Sequence, residues 1–182
     1  MKSLETIQKV SKFGKILSKI IFTLCLVALI IFFVAGLCVV TLPANIEITK
    51  DTLPFLEVNN IKFSKNGIYD ALIVASIGLI AEMYIAKKAE KYFEFELQEG
   101  TPFTEEGANK IKKLGIIVIV APIIASLISF VIHIVIAKLF GDVGEIELNY
   151  DISLTMGLVF LFLSAVFRYG ASLKNNENEK NI

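Results

Sequence analysis

Four apolar stretches, 20–42, 68–86, 114–137 and 152–168, alternate with polar connections along the chain. The first, Ile20 to Leu42, carries no charged residue. It exceeds the roughly 20 residues that take a helix across about 30 Å of hydrocarbon. It is too long for a signal-peptide core, and Pro43-Ala44-Asn45 does not look like a cleavage site, so a retained helix is expected. Leu114 to Ala137 is equally apolar, with Pro122 inside it as an expected kink. The second stretch contains Glu82 and starts beside Asp70. The fourth, at about 16 residues, reaches only about 24 Å as a helix. Both are still expected to cross, because Arg168 can snorkel at one end of the fourth and Tyr150 can anchor the other. The pattern predicts an all-α integral membrane protein: one domain, 1–182, folded as a four-transmembrane-helix bundle.

The polar connections are asymmetric. With the N-terminus inside, fourteen of the 18 Lys and Arg residues fall on the cytoplasmic side, in 1–19, in the 87–113 loop and after 167, against four outside. The positive-inside rule then predicts both termini in the cytoplasm of a multi-pass cell-membrane protein. The outer loops, 43–67 and 138–151, hold Glu47, Asp51, Glu57, Asp142, Glu145, Glu147 and Asp151, with Asp70 just beyond the first, so the outer face is acidic. Short alternations in Asn45–Thr49, Ile61–Ser64 and Glu145–Tyr150 predict three strands in a small extracytoplasmic β-sheet, with Lys65-Asn66-Gly67 as a turn.

Before the first span, Leu4, Ile7, Val10, Gly14 and Leu17 recur at helical spacing. They predict an amphipathic helix that lies on the inner leaflet or runs straight into span one. In the 87–113 loop, Lys87 to Leu97 continues span two as a helix, Gly100 and Pro102 stop it, and Thr104 with Glu105 and Glu106 caps a new helix into span three. Tyr92, Phe93, Phe95 and Phe103 then either pack on the bundle end or form a docking surface for a cytoplasmic partner.

Small residues mark packing faces in lipid. Ala71, Ala75, Gly78, Glu82, Ala86 and Ala89 form one such row, and Gly157, Ser164, Arg168 and Ala171 another. Glu82 and Arg168 are therefore expected to face inward and pair as an intramembrane salt bridge. His133, about one turn from Lys138, lies at a depth Asp70 could reach as an outer polar contact.

Composition narrows the function. Zero net charge gives no field to attract nucleic acid. Seventeen of the basic residues are lysine and tryptophan is absent, as expected of a low-GC bacterium. Cys25 and Cys38, about 20 Å apart on one helix, cannot bridge. No Ser-His-Asp order, His-Glu-x-x-His or Gly-rich phosphate loop is present, so no enzyme, metal or cofactor is expected.

Gly100-Thr101-Pro102-Phe103-Thr104-Glu105-Glu106-Gly107 running on to Leu114-Gly115, and Phe167-Arg168-Tyr169-Gly170-Ala171-Ser172-Leu173, resemble signature segments of the bacterial four-helix membrane proteins grouped as domain of unknown function 2975. The tail departs from that pattern at Lys174 to Lys180. The resemblance implies a membrane partner for a small cytoplasmic helix-turn-helix regulator. A regulatory or sensory membrane protein is the leading expectation. An immunity or envelope-protection protein acting at the outer face is the alternative, and small-solute transport by a homo-oligomer is the third.

Overall fold

A computed structural model describes residues 2–41, 45–48, 61–141 and 151–180. Four helices long and apolar enough to cross a membrane make up most of it: α1 (Lys2–Val39), α2 (Lys65–Glu99), α3 (Glu105–Phe140) and α4 (Asp151–Lys180). Strands β1 (Asn45–Ile48) and β2 (Ile61–Ser64) pair antiparallel, with Asn45 opposite Ser64 and Ile48 opposite Ile61. Among the described residues, two of the three expected strands form and pair as a two-stranded ribbon. The third segment, with Tyr150 and most of the outer acidic residues, lies outside the described residues.

Helix ends follow from local chemistry. α1 runs unbroken from the N-terminal segment through the first apolar stretch, so that segment is the first turns of the span helix. Its last carbonyls are taken by tight turns, Val40 N–H to Leu37 at 3.3 Å and Thr41 N–H to Cys38 at 3.1 Å, just short of Pro43. Lys65-Asn66-Gly67 is not a turn but the first turn of α2. Ser64 Oγ accepts from Gly67 N–H at 3.0 Å as its N-cap. α2 stops at Gly100, whose φ of 73° suits a residue without Cβ and whose N–H reaches Glu96 O at 3.0 Å. Thr104 Oγ1 then accepts from Gly107 N–H at 2.9 Å and opens α3, which passes through Pro122 without interruption.

Two compact units divide the chain. The first comprises Met1–Cys25, Ala81–Ile124 and Asn149–Ile182. Its core is Tyr92, Ile111, Leu114 and Val118, flanked by Ile85, Phe93, Phe160, Leu163 and Phe167. α3 and α4 cross at two glycines. A Cβ on either Gly115 or Gly157 would lie 3.0 Å from the other's carbonyl oxygen, and Ile119 also packs into the Gly157 position. Ser164 Oγ donates to Ala108 O at 2.9 Å along the same contact. α1 packs by its small residues: Ser11, Ser18 and Cys25 are buried, whereas Val10 and Leu17 from the expected apolar face are exposed. The serines bond their own helix, Ser11 Oγ donating to Ile7 O and Ser18 Oγ to Gly14 O.

The second unit comprises Leu26–Ile80 and Ala125–Leu148. Here the start of α2 serves the ends of its neighbours. Lys65 Nζ donates to Val40 O at 2.7 Å, and Asn66 Nδ2 donates to Phe140 O at 3.2 Å. Carbonyls left over at two helix C-termini are thereby satisfied.

Filling the glycine crossing should be costly. Gly157→Val is expected to destabilise the chain by about 1–3 kcal/mol, the usual range for overpacking. Gly78→Val, at a position with nothing within 4 Å of the added Cβ, should leave the unfolding temperature in detergent nearly unchanged.

Candidate functional site

In the first unit the helices continue well past the apolar stretches. From Lys87 to Glu99, α2 projects by about 20 Å at helical rise, and the first turns of α1 and α3 accompany it. Gly14 makes the α1–α2 approach possible: a Cβ there would strike the Phe93 ring at 2.6 Å. Lys15 Nζ closes the contact on Glu94 Oε1 at 2.9 Å. Ser11 lies against Glu96, which is only 8% exposed.

These two carboxylates respond oppositely to their surroundings. The hydrogen bond and charge of Lys15 hold Glu94 below the ordinary glutamate range. Burial pushes Glu96 up, with the Ser11 hydrogen bond only partly offsetting it. The Glu94 contribution to stability is therefore present above its unfolded value and is lost as pH falls through the folded one. The Glu96 contribution is present below its unfolded value and is lost as pH rises through the folded one.

Of the two readings of the aromatic cluster of 92–103, packing on the bundle end is the one the structure shows for most of it. Tyr92 is 6% exposed and belongs to the core. Phe93 packs on Gly14 and makes an edge contact with Tyr92, its ring centroid 5.4 Å away. Phe95 lies beneath the Lys110 ammonium at 3.3 Å. Phe103 packs edge-on to Phe167 at 5.5 Å and against Gly170, yet it remains 36% exposed. The turn at 100–104 folds Phe103 back onto α4, whereas Tyr92, Phe93 and Phe95 are carried by α2 itself.

Glu82 and Arg168 do not pair. Both are exposed, and the Arg168 guanidinium donates to Asn109 Oδ1 at 2.7 Å. Of the small-residue row in α2, Ala86 is buried but Ala71, Ala75 and Glu82 are exposed. In α4, Gly157, Ser164 and Ala171 are buried and Arg168 is not. The seven-residue spacing of those three selects the packed face, and Arg168 falls beside it. Asn109 was not singled out from sequence; as a lone polar residue in a basic helix start it carried no signal.

The structure brings Asp70 and His133 together in the second unit. Their Oδ2 and Nδ1 atoms are 2.7 Å apart, and Asp70 is 3% exposed. Asp70 Oδ1 is buried and accepts no hydrogen bond from the protein. In the tautomer that carries its proton on Nδ1, His133 donates this hydrogen bond and Asp70 Oδ2 accepts it. One imidazole and one carboxylate fall short of the three protein ligands of a catalytic zinc site. Among the described residues no three His, Cys, Asp or Glu side chains are grouped to complete it.

Comparison with protein-family models, curated proteins and solved structures finds no match to this chain.

Two outcomes follow from this geometry. Glu96→Gln should match the native chain in thermal stability at pH values below the ordinary glutamate range and exceed it as pH rises above that range, because the glutamine avoids burying a charge. Separately, Asp70→Leu and His133→Leu should each destabilise by about 1–3 kcal/mol, while the double variant falls short of their sum by about 1 kcal/mol or more. Additive losses in detergent unfolding would show that the contact contributes no coupling.

Proposed function

We propose that this chain is a non-enzymatic, four-span cell-membrane protein of a bacterium, with both termini and the 87–113 segment in the cytoplasm. It acts there as the regulatory or sensory partner of a cytoplasmic protein, with a small helix-turn-helix regulator the class implied by the family resemblance. One observation supports this best. The first unit carries ordered helix well beyond the apolar stretches and locks it through Gly14 on Phe93 and Lys15 on Glu94. Joining two spans needs only a few residues. A packed extension instead presents a fixed surface, which favours a protein partner over a passive connection.

With Tyr92, Phe93 and Phe95 covered, the exposed apolar positions of this region include Phe13, at 66% exposure, and Phe103. Phe13 stands beside Lys12 and Lys9 in sequence, so the surface combines an aromatic anchor with positive charge.

A photo-reactive residue at Phe13 or Phe103 is expected to capture a soluble cytoplasmic protein in living cells, whereas one at Leu139 should not. Capture of only lipid or further copies of the chain from Phe13 and Phe103 would remove the regulatory reading.

A further inference from the structure

Between α2 and α3 in the first unit lies a groove of about 340 Å³ whose rim is unusually cationic. Lys88, Lys91, Lys110 and Lys113 line it, and Tyr92, Leu114 and Ile117 form the apolar remainder. Acidic residues nearby are already engaged: Glu90 with Lys87 at 2.8 Å, Glu94 with Lys15 at 2.9 Å and Glu106 with Lys110 at 2.8 Å. Among the described residues, Lys88, Lys91 and Lys113 have no carboxylate within ion-pair distance. Lys88 stands over the Tyr84 ring at 5.1 Å and Lys91 lies within the field of Glu94, but neither has a direct ion pair, and three such ammonium groups around one groove repel one another unless an anion completes it.

The position of the groove selects the anion. Lys88 and Lys91 follow directly on the apolar stretch that ends at Ala86, and Lys110 and Lys113 directly precede the one that begins at Leu114. The charges therefore stand at headgroup level, while Leu114 and Ile117 continue toward hydrocarbon. A ligand that fits must be anionic at one end and apolar at the other. By contrast, the larger groove between α3 and α4 offers Lys112 and an Arg168 already bonded to Asn109.

We propose that the α2–α3 groove binds an anionic phospholipid, its phosphodiester held by Lys88, Lys91 and Lys113 and the start of an acyl chain laid along Leu114 and Ile117. This rests on the membrane assignment above. It adds to the regulatory reading a ligand through which lipid composition reaches the extension that presents Phe13 and Phe103.

Native mass spectrometry of the full chain, released from mixed phosphatidylglycerol and phosphatidylcholine, tests it. The native protein is expected to retain phosphatidylglycerol in preference. A lysine near the membrane surface contributes about fivefold to anionic-lipid affinity, so K91Q/K113Q should lose at least about tenfold of that preference, while K91R/K113R and K138Q keep it. Should the paired substitution unfold the chain, K91Q and K113Q alone read the same loss at about fivefold each. Undiminished preference in the glutamine variants would overturn the proposal. So would displacement of the lipid by millimolar glycerol phosphate, which would identify a soluble phosphate as the ligand. Release of the chain from membranes by alkaline carbonate would instead fail the membrane assignment itself. A carbonate-resistant chain without lipid preference overturns the groove alone.

Discussion

The contact of Gly115 with Gly157 governs the packing of the first unit. In hydrocarbon the tails around a helix are as apolar as its leucines, so helices hold together where their backbones can approach and make many close contacts. Both glycines are needed, since a Cβ on either would meet the carbonyl of the other at 3.0 Å. Once α3 and α4 touch there, Ser164 can reach the Ala108 carbonyl and Phe167 can meet Phe103. Arg168 comes within 2.7 Å of Asn109. The α1 contact obeys the same constraint through Gly14, where the missing Cβ admits the whole ring of Phe93.

Close packing leaves the polar ends of the helices to be dealt with, and the chain does this locally. Gly100 and Gly141 adopt positive φ, and each sends its N–H back to the preceding turn. The N-terminus of α2 goes further by donating Lys65 and Asn66 to the ends of two other helices. Such contacts combine electrostatics with register: a cation at a helix C-terminus is favoured by the dipole as well as by the hydrogen bond.

Element type was legible because it depends on periodicity and local caps, both of which are written in consecutive residues. The run of uncharged residues from Ile20, the stop at Gly100 and the cap at Thr104 needed no tertiary knowledge. Azimuth was not legible to the same degree. Assigning Glu82 and Arg168 to inward faces assumed that every small residue in a row packs, whereas only those matched by a neighbour do, as Gly157, Ser164 and Ala171 are. The aromatic cluster was legible as packing on the bundle end but not in its partners, because the space Gly14 leaves for Phe93 is visible only when α1 is placed beside α2. Ser64 as a cap and Lys65 as a donor were hidden because Lys-Asn-Gly also has the composition of a turn.

Charge placement links orientation to ligand chemistry. Lysines concentrated around 87–113 are what the positive-inside rule counts, yet in the folded first unit they are not equivalent. Lys15, Lys87 and Lys110 are paired with glutamates, which neutralises them and ties helix to helix or turn to turn. Lys88, Lys91, Lys112 and Lys113 are left over, near where the apolar stretches begin. A purely topological signal would be satisfied by lysines scattered over the connecting segment. Gathering three of the four unpaired ones around a single groove with an apolar floor adds repulsion that topology alone does not require, and an amphiphilic anion would relieve that repulsion.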